Sequence, residues 1–307
     1  MLRIIARQVC MMKLLLFGKN GQVGRELQQE LINFSGATFL DSSEVDFNDL
    51  DSIRECLRLQ RPDIIINAAA YTNVEAAENA PLQAYRINAE AVEIIAQEAK
   101  KLNAWFIHYS TDYVFDGCKK SLYDENDTPR PLNIYGLSKL AGEHAIQKTG
   151  CKHIIFRTSW VFSEHGKNFA KTILDLAKTS TNLQIVNDQI GAPTHAHMIA
   201  NVTKHVIQEI INRQDNAEVL VGIYNISCAG ETSWHGFAEF LLTQVGVDVA
   251  RTLQATSSKN YKTSVNRPAN SRLDTSKFIN TFNLELPHWE KYALRFVESM
   301  NNDARTA

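Results

Sequence analysis

What this chain lacks narrows its chemistry first. Its 307 residues contain no apolar run long enough to cross a bilayer, so no membrane partner is expected. It has no basic excess either: 32 Lys and Arg stand against 34 Asp and Glu, a formal charge of −2. Nucleic acid and anionic membrane surfaces both want a concentrated basic face, so neither is an expected partner. The five cysteines (Cys10, Cys56, Cys118, Cys151 and Cys228) are scattered, odd in number and without a CxxC pair. That pattern excludes a disulfide framework and a cysteine zinc site, and it reads as reduced thiols in a cytoplasmic protein. Internal repeats and low-complexity tracts are also missing. What remains is an ordinary globular composition, 44% hydrophobic and 21% charged, with length enough for one large core or two unequal domains. The first eleven residues carry two Arg and no acid, as targeting peptides do, but show no continuous apolar stretch and no small-residue cleavage site. They read as an N-terminal extension.

Beyond Met12 strands and helices alternate. Lys13 to Phe17 reads as a strand buried on both faces, closed by Gly18. Gly18-Lys19-Asn20-Gly21-Gln22-Val23-Gly24 follows, then a helix with apolar Val23, Leu27 and Leu31. A second strand spans 37–40 and ends at Asp41; a helix over about 50–60 takes Asn48 or Asp49 as its cap. The strand at 63–67 leads into Ala68-Ala69-Ala70-Tyr71-Thr72, one long helix is expected over about 81–102, and 105–111 forms the fourth strand. A polar loop over about 116–132 precedes a helix carrying Tyr135, and 153–158 is the fifth strand. Later come a helix at 169–177, a strand at 183–186, a helix at 196–211, and a strand at 222–226 expected to rejoin the main sheet. Helices from Thr232-Ser233 to about 244 and over 289–300 close the chain. This order predicts an α/β fold: a Rossmann-like doubly wound parallel sheet with a smaller C-terminal α/β substrate domain. The expected division is 12–160 with about 196–226 for nucleotide binding, and about 161–195 with 227–307 for substrate.

The strand–glycine turn–helix order is what a dinucleotide pyrophosphate requires. Glycines let backbone approach it, and the helix N-terminus offers free N–H groups. The spacing is GxxGxxG, so a βα turn with no ligand stands as the plainer alternative. Asp41 lies close to the ~20-residue distance expected of an acid that binds the adenosine ribose, and otherwise is a turn former. Small residues at Ala70 leave room in the crevice, or pack a helix tightly. Tyr135 and Lys139 sit four apart and share a helix face. An ammonium beside a phenol would lower the phenol from its usual ~10 and make an acid–base group for neutral pH. The bland alternative is a surface helix. His108, His195 and His197 make no metal triad: the first lies in a buried strand, the others at a helix start.

These residues resemble the extended short-chain dehydrogenase/reductase family over nearly the whole chain from Met12. Gly18–Gly24 and the Tyr135, Lys139 pair carry the general likeness. NAAAYT from Asn67, YSTDYVF from Tyr109, RTSWV from Arg157, NDQIGAPT from Asn187 and RPANSRLD from Arg267 carry a narrower likeness to its sugar-nucleotide reductases. The resemblance implies NADPH or NADH as cofactor and reduction of the C4 ketone of dTDP-4-dehydro-6-deoxy-L-mannose. It implies Tyr135 as catalytic acid, Lys139 as its partner and Thr111 as a second donor to the same oxygen. It implies cofactor contacts at Gly18, Gly21, Gln22, Val23, Gly24, Asp41, Asp46, Phe47, Ala70, Tyr71, Thr72 and Tyr109. Substrate contacts fall at Thr111, Asp112 and Trp160, with Trp160 offering a flat ring. Arg267 and Arg272 would pair with the substrate diphosphate or, equally, form structural ion pairs. The resemblance also allows a homodimer and, as in some members, Mg2+ at a subunit interface, although no acidic cluster in this sequence is assignable to the ion. Three other readings fit the same residues: a reductase of another nucleotide-linked 4-keto-6-deoxysugar, a binding subunit like the regulatory one of methionine adenosyltransferase, and a sugar-nucleotide epimerase.

Overall fold

Strands β1 (Leu14–Phe17) and β3 (Ile64–Asn67), with helix α1 (Gln22–Leu31), strand β2 (Ala37–Leu40) and helix α2 (Leu50–Gln60), open a computed structural model that describes residues 12–180, 182–260 and 264–306. The N-terminal extension at 1–11 lies outside the described residues. Helices α3 (Val74–Asn79), α4 (Pro81–Tyr85) and α5 (Ala91–Leu102) lead to β4 (Trp105–Thr111), α6 (Ile134–Thr149) and β5 (Lys152–Thr158). Then come β6 (Val161–Phe162), α7 (Phe169–Ala177), β7 (Leu183–Val186), β8 (Ile190–Gly191), β9 (Thr194–His195), α8 (Ala196–Arg213) and β10 (Gly222–Asn225). The chain closes with β11 (Thr232–Ser233), α9 (Trp234–Gln244), α10 (Val249–Thr252), β12 (Leu253–Thr256), α11 (Ser276–Phe282) and α12 (Trp289–Thr306).

The main sheet has six parallel strands in the order β10-β5-β4-β3-β1-β2. The order reverses between β1 and β3, so the crevice of this doubly wound sheet opens beyond the C-terminal ends of those two strands. The strand at 222–225 does rejoin the sheet, beside β5. Every residue of β1 and β3 is buried, because helices cover both faces. The two-residue alternation divides them between two cores. Leu14, Leu16, Ile64 and Ile66 pack with Leu27 and Leu31 of α1 and Val206 and Ile210 of α8. Leu15, Phe17 and Ile65 pack with Ile53 and Leu57 of α2, Ile95 of α5 and Ile146 of α6. Each such side chain contributes roughly 1.5–3 kcal/mol by leaving water.

The single helix expected over 81–102 is broken. Residues Arg86–Glu90 form a π-helical turn between α4 and α5. Asn88, which lies in that turn, accepts the Tyr71 N–H at 2.8 Å and donates to the Tyr71 carbonyl at 3.0 Å. It also donates to the Ser138 hydroxyl of α6 at 3.0 Å. The widened turn aims one amide at two distant segments, the kind of work π-bulges perform near sites. Helix α6 presses on it so closely that a Cβ on Gly142 would stand 2.2 Å from the Asn88 carbonyl oxygen.

The later segments are stitched rather than layered. β7 pairs with β12, β8 with β11 and β6 with β9. Ser271 donates its N–H to the Ile190 carbonyl, and Tyr123 donates to that of Arg272, so the 267–274 stretch is laced to both β8 and the loop after β4.

Candidate active site

Gly18 ends β1 with φ +86°, and a Cβ there would meet the Ala69 nitrogen at 2.5 Å. Only glycine lets β1 and the end of β3 approach so closely. Gly24 serves the next contact, since its Cβ would lie 2.0 Å from the Gly18 oxygen. Gly21 begins α1 without any side-chain cap, which leaves the helix's first N–H groups free to meet an anion. Beside this turn a cleft of about 800 Å3 runs across the sheet edge. Gly18, Gly21, Gln22, Val23, Asp41, Asp46, Phe47, Ala70, Thr72, Tyr109, Thr111, Asp112, Tyr135, Lys139 and Trp160 all line it. Gly24 and Tyr71 act from outside, the first through close packing and the second tied by its backbone to Asn88.

At one end of the cleft Asp41 accepts from Ser43 N and Oγ at 2.8 and 2.6 Å and from Asn20 at 2.6 Å. The Ser43 hydrogen bonds, with Lys19 nearby, hold its carboxyl below the usual carboxylate range. Asp46 accepts from Asn48 in a tight turn, and Phe47 packs edge-on against Phe17. Gln22 accepts from Ser163 and Asn168, which closes the loop 163–168 over the start of α1.

At the other end α6 starts where Asn133 caps the Gly136 N–H at 2.9 Å. Its buried face presents Ser138, Lys139, Gly142 and Glu143 in turn. Glu143 takes a bidentate ion pair from Arg157 of β5, at 3.0 and 2.6 Å, and a bond from Ser110 at 2.5 Å. The pair is 1% and 3% exposed and pins the helix to the sheet. Lys139 is 2% exposed and donates to the Tyr109 carbonyl at 2.6 Å, while its nitrogen lies 3.3 Å from His108 Nε2. Burial lowers it to about 8, opposed by Glu143.

Here the geometry overturns one sequence expectation. Lys139 is spent on the Tyr109 carbonyl and does not lower Tyr135. Burial instead raises the Tyr135 phenol above its ordinary value; hydrogen bonding to Thr111 opposes the rise, and Asp112 and Tyr113 reinforce it. The phenol is therefore held protonated, as a donor would be. Thr111 also donates to Asp112 Oδ1 at 3.1 Å. Asp112 is 3% exposed, its second carboxylate oxygen has no partner, and burial pushes its carboxyl up to about 6.

Trp160 follows β5 with φ +50°, a left-handed conformation costly for a tryptophan. Trp234 stacks on it at 3.5 Å and 9°. A Cβ on Gly191 would stand 2.6 Å from its Cε2, so β8 backs the other face. The flat platform expected of Trp160 is thus covered on both sides, and the indole offers the cleft an edge. Arg267 reaches Glu75 at 3.0 Å and the Tyr113 hydroxyl at 3.4 Å. Arg272 binds Glu231, Asn270 and the Lys120 carbonyl. Neither arginine lines the cleft; both sit in ion pairs, the structural alternative. Sequence reasoning missed Asn88, Trp234, the Glu143–Arg157 pair and Thr158, whose buried, unpartnered hydroxyl lines the cleft. Only Glu143 left a signal, one turn beyond Lys139 on the same helix face.

The glycine turn, uncapped helix start and acid at the end of β2 fit a dinucleotide. Mg2+ fares differently: among the described residues no group of three or more His, Cys, Asp and Glu suits a metal ion. Among them, too, no helix is long and apolar enough to cross a membrane.

A parallel sheet with this switch point, a phosphate-ready turn and a Tyr and Lys on one helix define a Rossmann-type nucleotide-dependent reductase of the short-chain class. The chain belongs to the family described as the RmlD substrate binding domain, whose model matches residues 12–302. It is 45% identical over 297 residues to the dTDP-4-dehydrorhamnose reductase of Salmonella typhimurium, covering 94% of this chain and 98% of that one. To the enzyme of that name from Burkholderia thailandensis it is 41% identical over 290 residues, covering 92% and 97%. A crystal structure of dTDP-4-dehydrorhamnose reductase from Bacillus anthracis in complex with NADP superimposes with a TM-score of 0.86 at 32% identity, covering 94% and 99%.

Proposed function

We propose that this protein is a dTDP-4-dehydrorhamnose reductase: it reduces the C4 ketone of dTDP-4-dehydro-6-deoxy-L-mannose with NADPH or NADH, giving dTDP-L-rhamnose. One observation carries the reading. Tyr135, Thr111 and Asp112 line the same cleft as the uncapped glycine turn, so a proton donor and a nucleotide site face one space. The relatives' names supply the substrate.

The N-terminus of α1 and the Gly18–Gly21 turn would hold the pyrophosphate, Asp41 would accept from the adenosine ribose, and Lys139 would donate to the second ribose. The bound dinucleotide supplies the hydride. Tyr135, kept protonated by burial, gives its proton to the developing alkoxide, and Thr111 donates to the same oxygen. Asp112, with a free carboxylate oxygen, accepts from a sugar hydroxyl, and the edge of Trp160 borders the sugar. A cytoplasmic location and a homodimer belong to this reading, as does the division into a nucleotide-binding part, 12–160 with about 196–226, and a substrate-binding part. Among the described residues no group composes a magnesium site, so no step is routed through that ion.

Loss of NADPH and NADH absorbance with enzymatically generated dTDP-4-dehydro-L-rhamnose, with and without EDTA, is the test. Turnover of that sugar above other 4-keto-6-deoxysugar nucleotides is the expected result. No oxidation with any keto-sugar refutes the reading and favours a binding role.

A further inference from the structure

His108 is fully buried on β4 directly behind Lys139, and both ring nitrogens are engaged. Nε2 lies 3.3 Å from Lys139 Nζ, and Nδ1 lies 3.3 Å from the Asn67 amide nitrogen. Asn67 is itself held, because its side-chain oxygen accepts the Ala69 N–H at 3.0 Å. That bond turns the amide NH2 toward His108; the reverse orientation would set NH2 against the Ala69 N–H. An NH2 group can only donate, so Nδ1 accepts. A neutral imidazole that accepts at Nδ1 carries its proton on Nε2. This ring is neutral, because an imidazolium would set an Nδ1–H against the Asn67 NH2; burial, too, lowers it well below the ordinary imidazole range.

The Nε2 proton therefore points at Lys139. An ammonium, with three donors and no acceptor, meets it as a clash of donors. An amine offers its lone pair to Nε2–H, one proton to the Tyr109 carbonyl at 2.6 Å, and one to the cleft. We infer that Asn67 and His108 are positioning residues that fix the Nε2–H tautomer behind Lys139 and bias this lysine toward its amine form, so that it holds its ionisable proton loosely. The tautomer follows from geometry alone; its consequence for turnover rests on the proposed reductase function. The other charged groups facing Lys139 are few. Glu143, one turn further on α6, favours the ammonium but is itself neutralised by Arg157. Tyr135, one turn earlier, is protonated. Phe106, beside the His108 ring at 5.8 Å, is uncharged.

Two measurements test this, one without any substrate. In the ligand-free enzyme, 15N NMR of the imidazole nitrogens, with His108 identified by the signals lost in His108→Gln, should show a protonated Nε2 and a bare Nδ1 across the neutral range. A protonated Nδ1 or an imidazolium overturns the inference whatever the enzyme's activity. In the second, the kcat/KM of His108→Gln for the keto-sugar is followed against pH. Gln offers Lys139 a carbonyl acceptor in place of Nε2–H, so the alkaline fall in rate should move upward by about one unit. An unchanged or lower limb overturns the bias toward the amine, while a merely structural His108 would change the rate without moving the limb. If Tyr135→Phe keeps full activity, the reductase reading fails, and the tautomer result still stands or falls by itself.

Discussion

Replacing Asp112 by Asn should stabilise the protein, and only in one range of pH. The carboxyl is buried, donors reach one of its oxygens, and the other oxygen has none. Its titration is raised from 3.8 to about 6, chiefly by burial. A raised acid favours the protonated form in the folded state. Below the unfolded value both states carry the proton and nothing differs. As pH rises through the carboxylate range the unfolded chain releases its proton first, so stability falls until about 6 and the cost is complete above it. The rise of about two units from 3.8 corresponds to about 3 kcal/mol at most. Asn cannot ionise and avoids that cost, although its own unpaired NH2 subtracts about 1 kcal/mol at every pH. Urea denaturation should therefore find Asp112→Asn about 2 kcal/mol more stable than the parent at about pH 8, with the gain gone at about pH 4. Kinetics should move the other way, with a raised KM for the sugar nucleotide as a hydroxyl loses its acceptor. A stability difference that is flat with pH, or a variant less stable at pH 8, would refute the reasoning.

Three further outcomes follow from neighbouring residues. Tyr135→Phe should lower kcat by roughly 10²–10⁴ while dinucleotide affinity, measured by fluorescence titration, is largely kept. Arg157→Met leaves Glu143 charged and unpaired in the core and should cost roughly 3–5 kcal/mol in denaturant unfolding; adding Glu143→Leu should restore most of it. Gly191→Ala puts a methyl where the Trp160 indole lies, so unfolding should report a loss of about 1–3 kcal/mol and the assay a higher KM for the sugar nucleotide.

The sequence announced those parts of the molecule that local chemistry decides. The buried runs at Leu14–Phe17 and Ile64–Asn67 could only be interior parallel strands, and Gly18 to Gly24 could only be a turn into a helix. Of the two candidate caps, Asn48 and Asp49, it is Asp49 that caps α2. What stayed hidden depended on residues brought together by folding. The π-helical turn at Arg86–Glu90 answers to Asn88 reaching Tyr71 and Ser138, which no helical periodicity reveals. Spacing puts Tyr135 and Lys139 on one face, but it does not say that the lysine turns to the Tyr109 carbonyl or that the phenol is buried deeply enough to rise instead of fall. The sequence shows Trp160 as an aromatic surface but not Trp234 or Gly191, which take its two faces. Arg267 and Arg272 read evenly from sequence as ligand or ion-pair residues, and no sequence pattern shows that folding sets Glu75 and Glu231 beside them.

The stacked indoles of Trp160 and Trp234 also give the protein an optical reporter of its own. Two such chromophores lying parallel in van der Waals contact share their excited states, and the sharing depends steeply on their mutual tilt. Trp105 and Trp289, sunk in the core, contribute a steady background. Whatever enters the cleft along the edge of Trp160 must either leave the pair as it is or disturb it. Near-ultraviolet circular dichroism of the unlabelled protein would then separate occupancy of the sugar end from occupancy of the distant nucleotide end.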